Sequence, residues 1–362
     1  MKLQNDIIIK ACKRLPTERT PIWIMRQAGR YLPEYRAIRK KHDFLTMCKT
    51  PELAAEVTIQ PVDIIGVDAA IIFSDILVIP EAMGMHLQIN EGRGPVFSHP
   101  IKSAKDLAKL KDPDPNTDLK YVMDAISLTK KELNGRVPVI GFAGAPWTIL
   151  TYMVEGQGSK SFSKVKKLVY GNPQLAHKLL DKITKATASY LSAQIEAGAN
   201  LVQIFDTWAG ILSPRDYQVF AMRYVHQLIS EIKKKDEPVI YFPKGVHYLM
   251  HELKEIGADA ISVDWTLELE KVRRKMGDKV AIQGNLDPTV LYADPAFIRR
   301  EARKVMESFG KGHGHIFNLG HGILPDIDPE NLKVLVNYVK EESKSFHHRV
   351  TKTQRNEQRT NK

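Results

Sequence analysis

Ionisable side chains follow several apolar, β-branched runs of this chain, at the point where each run ends. Arg26 and Arg30 flank a short turn containing Gly29, directly after the run PIWIM at residues 21–25. The planar fork of an arginine matches a carboxylate, so two arginines at such a turn are typical of an anion site. A charged surface loop is the alternative interpretation of the same residues.

An aspartate and a histidine also stand in unusual surroundings. Asp75 lies between the apolar runs AAIIF and ILVIP. A carboxylate placed there must be paired or hydrogen-bonded, or its pKa rises. His321 lies between two glycines, which leave its ring too little cover for an ordinary core histidine. Both residues are candidates for a functional site.

Three other ionisable residues at the ends of apolar runs have structural explanations of equal weight. Asp264 and Asp287 follow such runs, but an aspartate there often caps the next helix. Lys244 follows the run VIYF and could form an internal ion pair with Asp264 or Asp206. We expect these residues to be structural at least as readily as functional.

The elements that would position these side chains are eight strand-like runs separated by helix-like segments. Strand followed by helix, repeated about eight times, predicts an α/β protein with a single-domain (β/α)8 TIM barrel, whose site lies at the carboxyl ends of the strands. A doubly wound open sheet is the alternative, but neither GxGxxG nor GxxxxGK[ST] occurs. The predicted strands lie in residues 21–25, 66–75, 137–142, 198–206, 237–242, 257–264, 279–284 and 315–320.

Composition and charge limit the classes of protein to which this chain can belong. The chain of 362 residues carries a formal net charge of +11, and residues 344–362 hold six Lys/Arg against one Glu. We predict a barrel over residues 1–343 and a basic, disordered tail over 344–362; nucleic-acid binding by this tail is the minor alternative.

The two cysteines, Cys12 and Cys48, form no CxxC pair, which favours neither a disulfide framework nor a zinc site. No apolar run reaches the roughly 20 residues of a membrane helix, and no signal peptide is recognisable, so a cytoplasmic protein is expected.

Five blocks of the sequence resemble one enzyme family. They are MRQAGRYLPEYR, IIFSDILV, GFAGAPWTILTYMVEG, QGNLDP and NLGHGILPD. The chain resembles uroporphyrinogen decarboxylases from about Leu15 to about Lys340. This resemblance implies a cofactor-independent homodimer without a metal, with no nucleic-acid or membrane partner. It also implies a reaction that converts the four acetate side chains of uroporphyrinogen III to methyl groups, giving coproporphyrinogen III.

The resemblance also carries site roles onto individual positions. It implies that Asp75 is the essential carboxylate and that Arg26 acts beside it, as a candidate source of the proton. Arg39 matches a basic position of the family whose role is open between binding and ion pairing. Trp208 departs from the histidine of some members, which argues against an acid–base role there. The implied substrate-binding residues are Arg26, Gln27, Ala28, Gly29, Arg30, Asp75, Tyr152, Thr207 and His321.

Two other functions compete with the decarboxylase. Zinc-dependent methyltransferases on the same barrel need thiol and histidine ligands, but the corresponding segments FPKGVH and NLGHG contain no cysteine. A non-catalytic tetrapyrrole-binding protein would not need Asp75 together with the arginines. Both alternatives are less consistent with the residues than decarboxylation.

Overall fold

The computed structural model describes residues 2–90 and 94–360. Its main sheet has seven strands, and all neighbouring strands run parallel. A separate antiparallel hairpin pairs two further strands. In sheet order the seven strands are β1 (Ala70–Ile71), β4 (Val139–Gly144), β5 (Leu201–Asp206), β6 (Val239–Pro243), β7 (Ala260–Ser262), β8 (Ala281–Gln283) and β9 (His315–Ile316), and the hairpin strands are β2 (Leu87–Asn90) and β3 (Gly94–Phe97).

Helices connect most of the strands, as parallel pairing requires. Several begin with proline in the first turn, where the missing N–H costs nothing. The helices are α1 (Ile7–Cys12), α2 (Pro33–Arg39), α3 (Phe44–Lys49), α4 (Pro51–Ile64), α5 (Val78–Ala82), α6 (Ala104–Leu107), α7 (Lys120–Leu133), α8 (Pro146–Glu155), α9 (Ser163–Gly171), α10 (Pro173–Ala197), α11 (Pro214–Tyr217), α12 (Arg223–Glu231), α13 (Met250–Leu253), α14 (Leu269–Met276), α15 (Pro295–Phe309) and α16 (Pro329–Thr360). Short 3₁₀ helices span Ala209–Ile211 and Pro288–Tyr292, and a π-helical turn spans Gln218–Met222.

Buried polar side chains inside the sheet show that the sheet is curled. Gln203 on β5 and Gln283 on β8 are separated by two strands in sheet order, yet the Gln283 amide donates to the Gln203 oxygen over 3.2 Å. The indole N–H of Trp23 donates to Gln283 over 2.8 Å. All three side chains are fully buried, so the concave face of the sheet is a filled core.

The first predicted strand differs from the other seven. Residues 21–24 form only a one-residue parallel bridge, between Ile22 and Phe317. On the opposite side, the N–H of Asp68 donates to the carbonyl of Ile22 over 2.8 Å, and the Asp68 carboxylate accepts from the Ile22 N–H over 2.9 Å. A side chain thus takes the place of a backbone partner, which is why this segment is not a full strand.

A buried ion pair holds this segment at the edge of the sheet. Arg19 donates to both oxygens of Asp68, over 2.6 and 2.7 Å, and the Lys340 ammonium of α16 lies 3.3 Å from the same carboxylate. Burial alone would raise the pKa of Asp68, but the Arg19 hydrogen bonds and the two cations outweigh it and hold the pKa below its usual range. The amino-terminal segment, β1 and α16 therefore meet at one charge cluster.

The last helix extends further than the sequence suggested. Helix α16 continues to Thr360, through most of the segment 344–362 for which disorder was predicted; residues 361–362 lie outside the described residues. No proline or glycine follows Pro329 in that segment, which is compatible with helix. Among the described residues, no helix combines the length and the apolar character that a membrane crossing requires.

Candidate active site

A cavity of about 360 Å³ opens at the carboxyl ends of the strands, where the barrel interpretation predicts a site. Its wall combines apolar side chains with a few polar groups, which is typical of sites for organic ligands. Seven of the nine residues predicted to bind substrate line it: Arg26, Ala28, Gly29, Arg30, Asp75, Thr207 and His321.

The turn that presents the two arginines is tightly built. Arg26 has a φ of +65°, which is unusual for a residue other than glycine and often marks a functional site. A Cβ atom on Gly29 would lie 2.8 Å from the carbonyl oxygen of Arg26, and one on Gly322 would lie 2.3 Å from the Arg26 side chain. Two glycines therefore allow the backbone and side chain of Arg26 to lie where they do.

Both guanidinium groups at the mouth are available to a ligand. Arg26 and Arg30 are exposed, and among the described residues no hydrogen bond or ion pair occupies either guanidinium. An arginine with all its donors unused beside an apolar cavity is suited to bind a carboxylate. The geometry therefore favours the anion-site interpretation over an ordinary surface loop.

Gln27 occupies a different place from its neighbours. Its side chain is fully buried; its oxygen accepts from the N–H of Ile24 over 2.9 Å and its amide donates to the carbonyl of Ala69 over 2.8 Å. Both ends of the amide are thus used to join the turn to the residue before β1. Gln27 does not line the cavity, so its side chain serves to hold the turn.

Asp75 lies in the cavity wall just after β1. One carboxylate oxygen accepts from the N–H of Leu77 over 2.7 Å. Burial among apolar side chains raises the pKa of Asp75, and the Leu77 hydrogen bond and the positive charge of Arg26 only partly oppose this. The carboxylate can therefore accept further hydrogen bonds on its cavity side. Donors on a ligand would stabilise its ionised form.

His321 is a neutral donor in this site. Its Nδ1 accepts from the N–H of Gly322 over 2.7 Å. Burial, together with the charges of Lys244 and Arg26, lowers the pKa of His321 to about 3. A neutral imidazole that accepts at Nδ1 carries its proton on Nε2, so this side chain can donate one hydrogen bond to a ligand.

Thr207 is held in place by its two neighbours. The carboxylate of Asp206, fully buried at the end of β5, accepts from the Thr148 hydroxyl over 2.6 Å and from the Tyr241 hydroxyl over 2.8 Å. The same Thr148 hydroxyl accepts from the N–H of Trp208 over 3.1 Å. Helix α8 therefore binds the chain on both sides of Thr207.

Tyr152 and Arg39 lie outside the cavity lining. The Tyr152 ring lies 6.3 Å from that of Trp208, and burial raises its pKa, although a hydrogen bond with Trp208 opposes the rise. Asp75 and Arg26 also influence that pKa, so the ring is close to the site without bordering the cavity. Arg39 donates to the carbonyl of His42 over 3.0 Å, and its functional role stays a prediction.

Two of the three residues with structural alternatives behave as helix-cap or loop residues. Asp287 accepts from the N–H of Thr289 at the start of a 3₁₀ helix. Asp264 accepts from the N–H groups of Gly245 and Thr266. The predicted ion pair of Lys244 is wrong: among the described residues, no carboxylate oxygen lies within 4.0 Å of its ammonium.

The apolar wall of the cavity was not predicted from sequence. Phe73, Phe142 and Phe205 line it, and Phe142 and Phe205 contact edge to face with ring centroids 5.6 Å apart. A signal was present, because a phenylalanine recurs at the end of four strand-like runs, as IIF, IGF, QIF and IYF. Parallel strands of similar length bring such residues to one edge of the sheet.

Metal ligands do not gather in the part of the chain that the structure describes. There, no three His, Cys, Asp or Glu side chains are grouped so that they could hold an ion. Cys12 and Cys48 are buried on α1 and α3, and burial raises the pKa of each thiol. Neither cysteine is a candidate nucleophile or metal ligand in this arrangement.

Comparisons with solved structures agree on the fold. A methyltransferase from Methanosarcina mazei superposes with a TM-score of 0.81 at 23% identity, covering 94% of this chain and 99% of that one. A B12-independent methionine synthase from Shewanella superposes with a TM-score of 0.54 at 13% identity, covering 90% and 96%. At these identities the likeness concerns the fold alone.

Comparisons of sequence are more specific. The family model for uroporphyrinogen decarboxylase matches residues 3–342. Curated proteins named uroporphyrinogen decarboxylase are 57% identical in Chloroherpeton thalassium and 56% identical in Chlorobaculum tepidum. Each alignment covers 95% of this chain and 99% or 100% of the relative. Identity at this level along the whole length establishes that the chain belongs to the uroporphyrinogen decarboxylase family.

Proposed function

We propose that this protein removes CO₂ from the four acetate side chains of uroporphyrinogen III and so forms coproporphyrinogen III. The observation that carries the proposal is the position of Asp75 in an apolar cavity lined also by Arg26 and Arg30, whose guanidinium groups have no partner among the described residues. The substrate is a flexible macrocycle with four pyrrole N–H groups inside and eight carboxylates around its rim. A central acceptor surrounded by peripheral cations complements that distribution of charge.

Asp75 would accept the pyrrole N–H groups. Its pKa is raised in the free protein because burial outweighs its hydrogen bond to Leu77, so several new N–H donors would lower the pKa and favour the carboxylate. Protonation of a pyrrole α-carbon then gives a cationic ring. An anion fixed beside a charge that exists only along the reaction path stabilises the transition state more than the ground state.

The chemical step balances without a further reactant. A proton adds to the pyrrole α-carbon, the bond from the methylene carbon to the carboxylate breaks, and its electron pair enters the cationic ring as CO₂ leaves. The resulting exocyclic methylene takes up a proton and the ring proton departs, which leaves a methyl group. Arg26 stands beside Asp75 as a candidate to deliver the first proton, directly or through water.

The remaining predicted residues would hold the rim of the macrocycle. Arg30 and Arg26 provide bidentate donors for carboxylates, the Thr207 hydroxyl and the His321 Nε2–H provide single hydrogen bonds, and Ala28 and Gly29 let the substrate approach the backbone. Tyr152 would act from behind the cavity wall. No step in this scheme requires a cofactor or a metal, and an active preparation containing stoichiometric zinc would contradict it.

We further propose that the curled sheet closes into a single-domain (β/α)8 barrel. Residues 21–24 support this closure, because they form hydrogen bonds with Phe317 beyond β9 on one side and with Asp68 before β1 on the other. A homodimer is inferred from the family resemblance, and sedimentation would measure the oligomeric state. A cytoplasmic location is inferred from the two cysteines, which favour no disulfide framework.

The test is turnover of chemically reduced uroporphyrinogen III by the wild type and by Asp75→Ala and Asp75→Asn. Formation of coproporphyrinogen is followed by chromatography of the oxidised porphyrins. Loss of a preorganised electrostatic group costs on the order of 2.7–4 kcal/mol, or roughly 10²–10³ in kcat. Asp124→Ala, which removes an exposed carboxylate paired with Lys120 on the same helix, is the matched control. Unchanged turnover in Asp75→Ala would refute the role of Asp75, and no product from the wild type would refute the function.

A further inference from the structure

Lys244 lies at the carboxyl end of β6 on a loop whose backbone is fixed. Its N–H donates to the carbonyl of Asp206 over 3.2 Å, and its carbonyl accepts from the N–H of Gly210 over 2.9 Å. Phe242, two residues earlier, contacts the His321 ring with centroids 6.2 Å apart. Lys244 is not itself among the residues that line the cavity, but its charge acts on His321, which does line it.

The ammonium group of Lys244 forms no ion pair within 4.0 Å in the described part of the chain, although the charge of Asp264 acts on it. The side chain is half-buried, and the nearby carboxylate of Asp264 already accepts from the N–H of Gly245 over 2.8 Å and from the N–H of Thr266 over 3.0 Å. The ammonium lies 6.0 Å from the centroid of the Trp265 ring, the outer limit of a cation–π interaction. Few contacts offset the cost of burying half of this cation. Such a group is suited to bind a ligand that carries a negative charge.

Two positive charges, those of Lys244 and Arg26, act on His321 in the wall of the cavity. The charges of Lys244 and Arg26 both lower the pKa of His321, and burial and the charge of Arg26 lower the pKa of Lys244, while Asp264 opposes this. Like charges held near one another in a partly desolvated place raise the free energy of the empty site. A bound carboxylate removes that repulsion, which is a physical reason for the cations to lie together.

We propose that Lys244 is a further substrate-binding residue, whose ammonium receives one of the rim carboxylates of the macrocycle. This inference rests on the proposed function. Lysine contributes a point charge with three donors and no fixed plane, so it suits a flexible side chain of the substrate. Arg26 and Lys244 would then hold carboxylates on either side of His321.

The experiment compares Lys244→Met and Lys244→Arg with Lys279→Met under the conditions of the turnover assay. Lys279 precedes β8 at the opposite, amino-terminal edge of the sheet and forms an exposed ion pair with Glu255, so its replacement removes the same charge away from the cavity. Loss of a charge-assisted hydrogen bond is expected to raise KM about tenfold or more in Lys244→Met, with kcat within about twofold. Lys244→Arg should recover most of the affinity, and Lys279→Met should match the wild type.

Two further readouts separate binding from a structural role. Because burial disfavours the ammonium, Lys244→Met should unfold at the same or a higher temperature than the wild type, whereas loss of a structural lysine would lower it. Inhibition by coproporphyrinogen, which keeps only the propionates, distinguishes the carboxylates: a weaker inhibition in Lys244→Met supports binding of a propionate, and an unchanged inhibition with a raised substrate KM supports binding of an acetate.

An unchanged substrate KM in Lys244→Met, or an equal rise in Lys279→Met, would overturn the role of Lys244 while the decarboxylase function stands. A fall in kcat without a change in KM would overturn it as well. A wild-type protein that forms no product would overturn the function and this inference together.

Discussion

Replacing Asp206 with asparagine should change how the stability of this protein depends on pH. The carboxylate is fully buried, and burial raises its pKa from the usual 3.8 to about 6 although Thr148 and Tyr241 donate hydrogen bonds to it. Below pH 3.8 the group is protonated in both the folded and the unfolded chain. As the pH rises toward 6 the unfolded chain ionises first, so the free energy of unfolding falls, and above 6 it falls no further.

The size of the effect follows from the shift. A difference of about two pKa units corresponds to roughly 3 kcal/mol, of which about 2 kcal/mol would be lost between pH 4.5 and pH 7.5. An asparagine side chain cannot ionise, so this loss should be missing from Asp206→Asn. The amide fits the site, because its oxygen can accept from Thr148 while its nitrogen donates to Tyr241, whose hydroxyl can turn to donate to Tyr217, 2.8 Å away.

The measurement is the free energy of urea unfolding for the wild type and Asp206→Asn at several pH values. The difference between the two proteins should change by about 2 kcal/mol over that range, with the variant gaining relative stability as the pH rises. Asp106→Asn is the control, because hydrogen bonds from Ser103 and Lys102 lower the pKa of Asp106; the group titrates below this pH range, so its difference from the wild type should stay nearly constant over it. Parallel curves for the wild type and Asp206→Asn would refute the reasoning.

Two predictions concern the arginine turn. Gly29→Ala should lower kcat/KM by about tenfold or more, because the new Cβ would lie 2.8 Å from the carbonyl of Arg26 and must shift the turn; Gly158→Ala, where nothing lies within 4 Å, is the matched control, and equal kinetics in the two variants would contradict the argument. Arg30→Lys should raise KM more than it lowers kcat in steady-state turnover, because Arg30 acts mainly in holding the ground state; a defect confined to kcat would show that its role is different.

The parallel α/β architecture could be predicted because its signal is local and repeated. Seven of the eight strand-like runs became strands of the main sheet, including β5 (Leu201–Asp206) and β7 (Ala260–Ser262). The exception is the run at residues 21–25, which has strand composition but forms a single bridge. The N–H of Ile22 in this run donates to the carboxylate of Asp68. No sequence pattern predicts that a side chain will take the place of a neighbouring strand.

The site could be predicted by residue type but not by the direction of each side chain. Within the RQAGR segment, Arg26 and Arg30 are exposed at the cavity mouth while Gln27 turns inward to bind Ile24 and Ala69. The positive φ of Arg26 reverses the chain direction at this point, so adjacent residues serve opposite purposes. A motif match assigns these adjacent residues to the same site, so it cannot tell which side chains face the cavity and which are buried in the fold.

The sequence by itself determined the family, the order of the elements and the chemical groups available, because these depend on residue identity and near neighbours. Tertiary structure decided which groups share a site and in what state of charge. Asp264 accepts hydrogen bonds from the loops around it, and no carboxylate of the described residues forms a close ion pair with Lys244. His321 is neutral because its ring is buried and because the charges of Lys244 and Arg26, which are distant in sequence, lie near it. Burial and electrostatic interaction depend on distances in space between residues far apart in the chain, and only the folded arrangement supplies them.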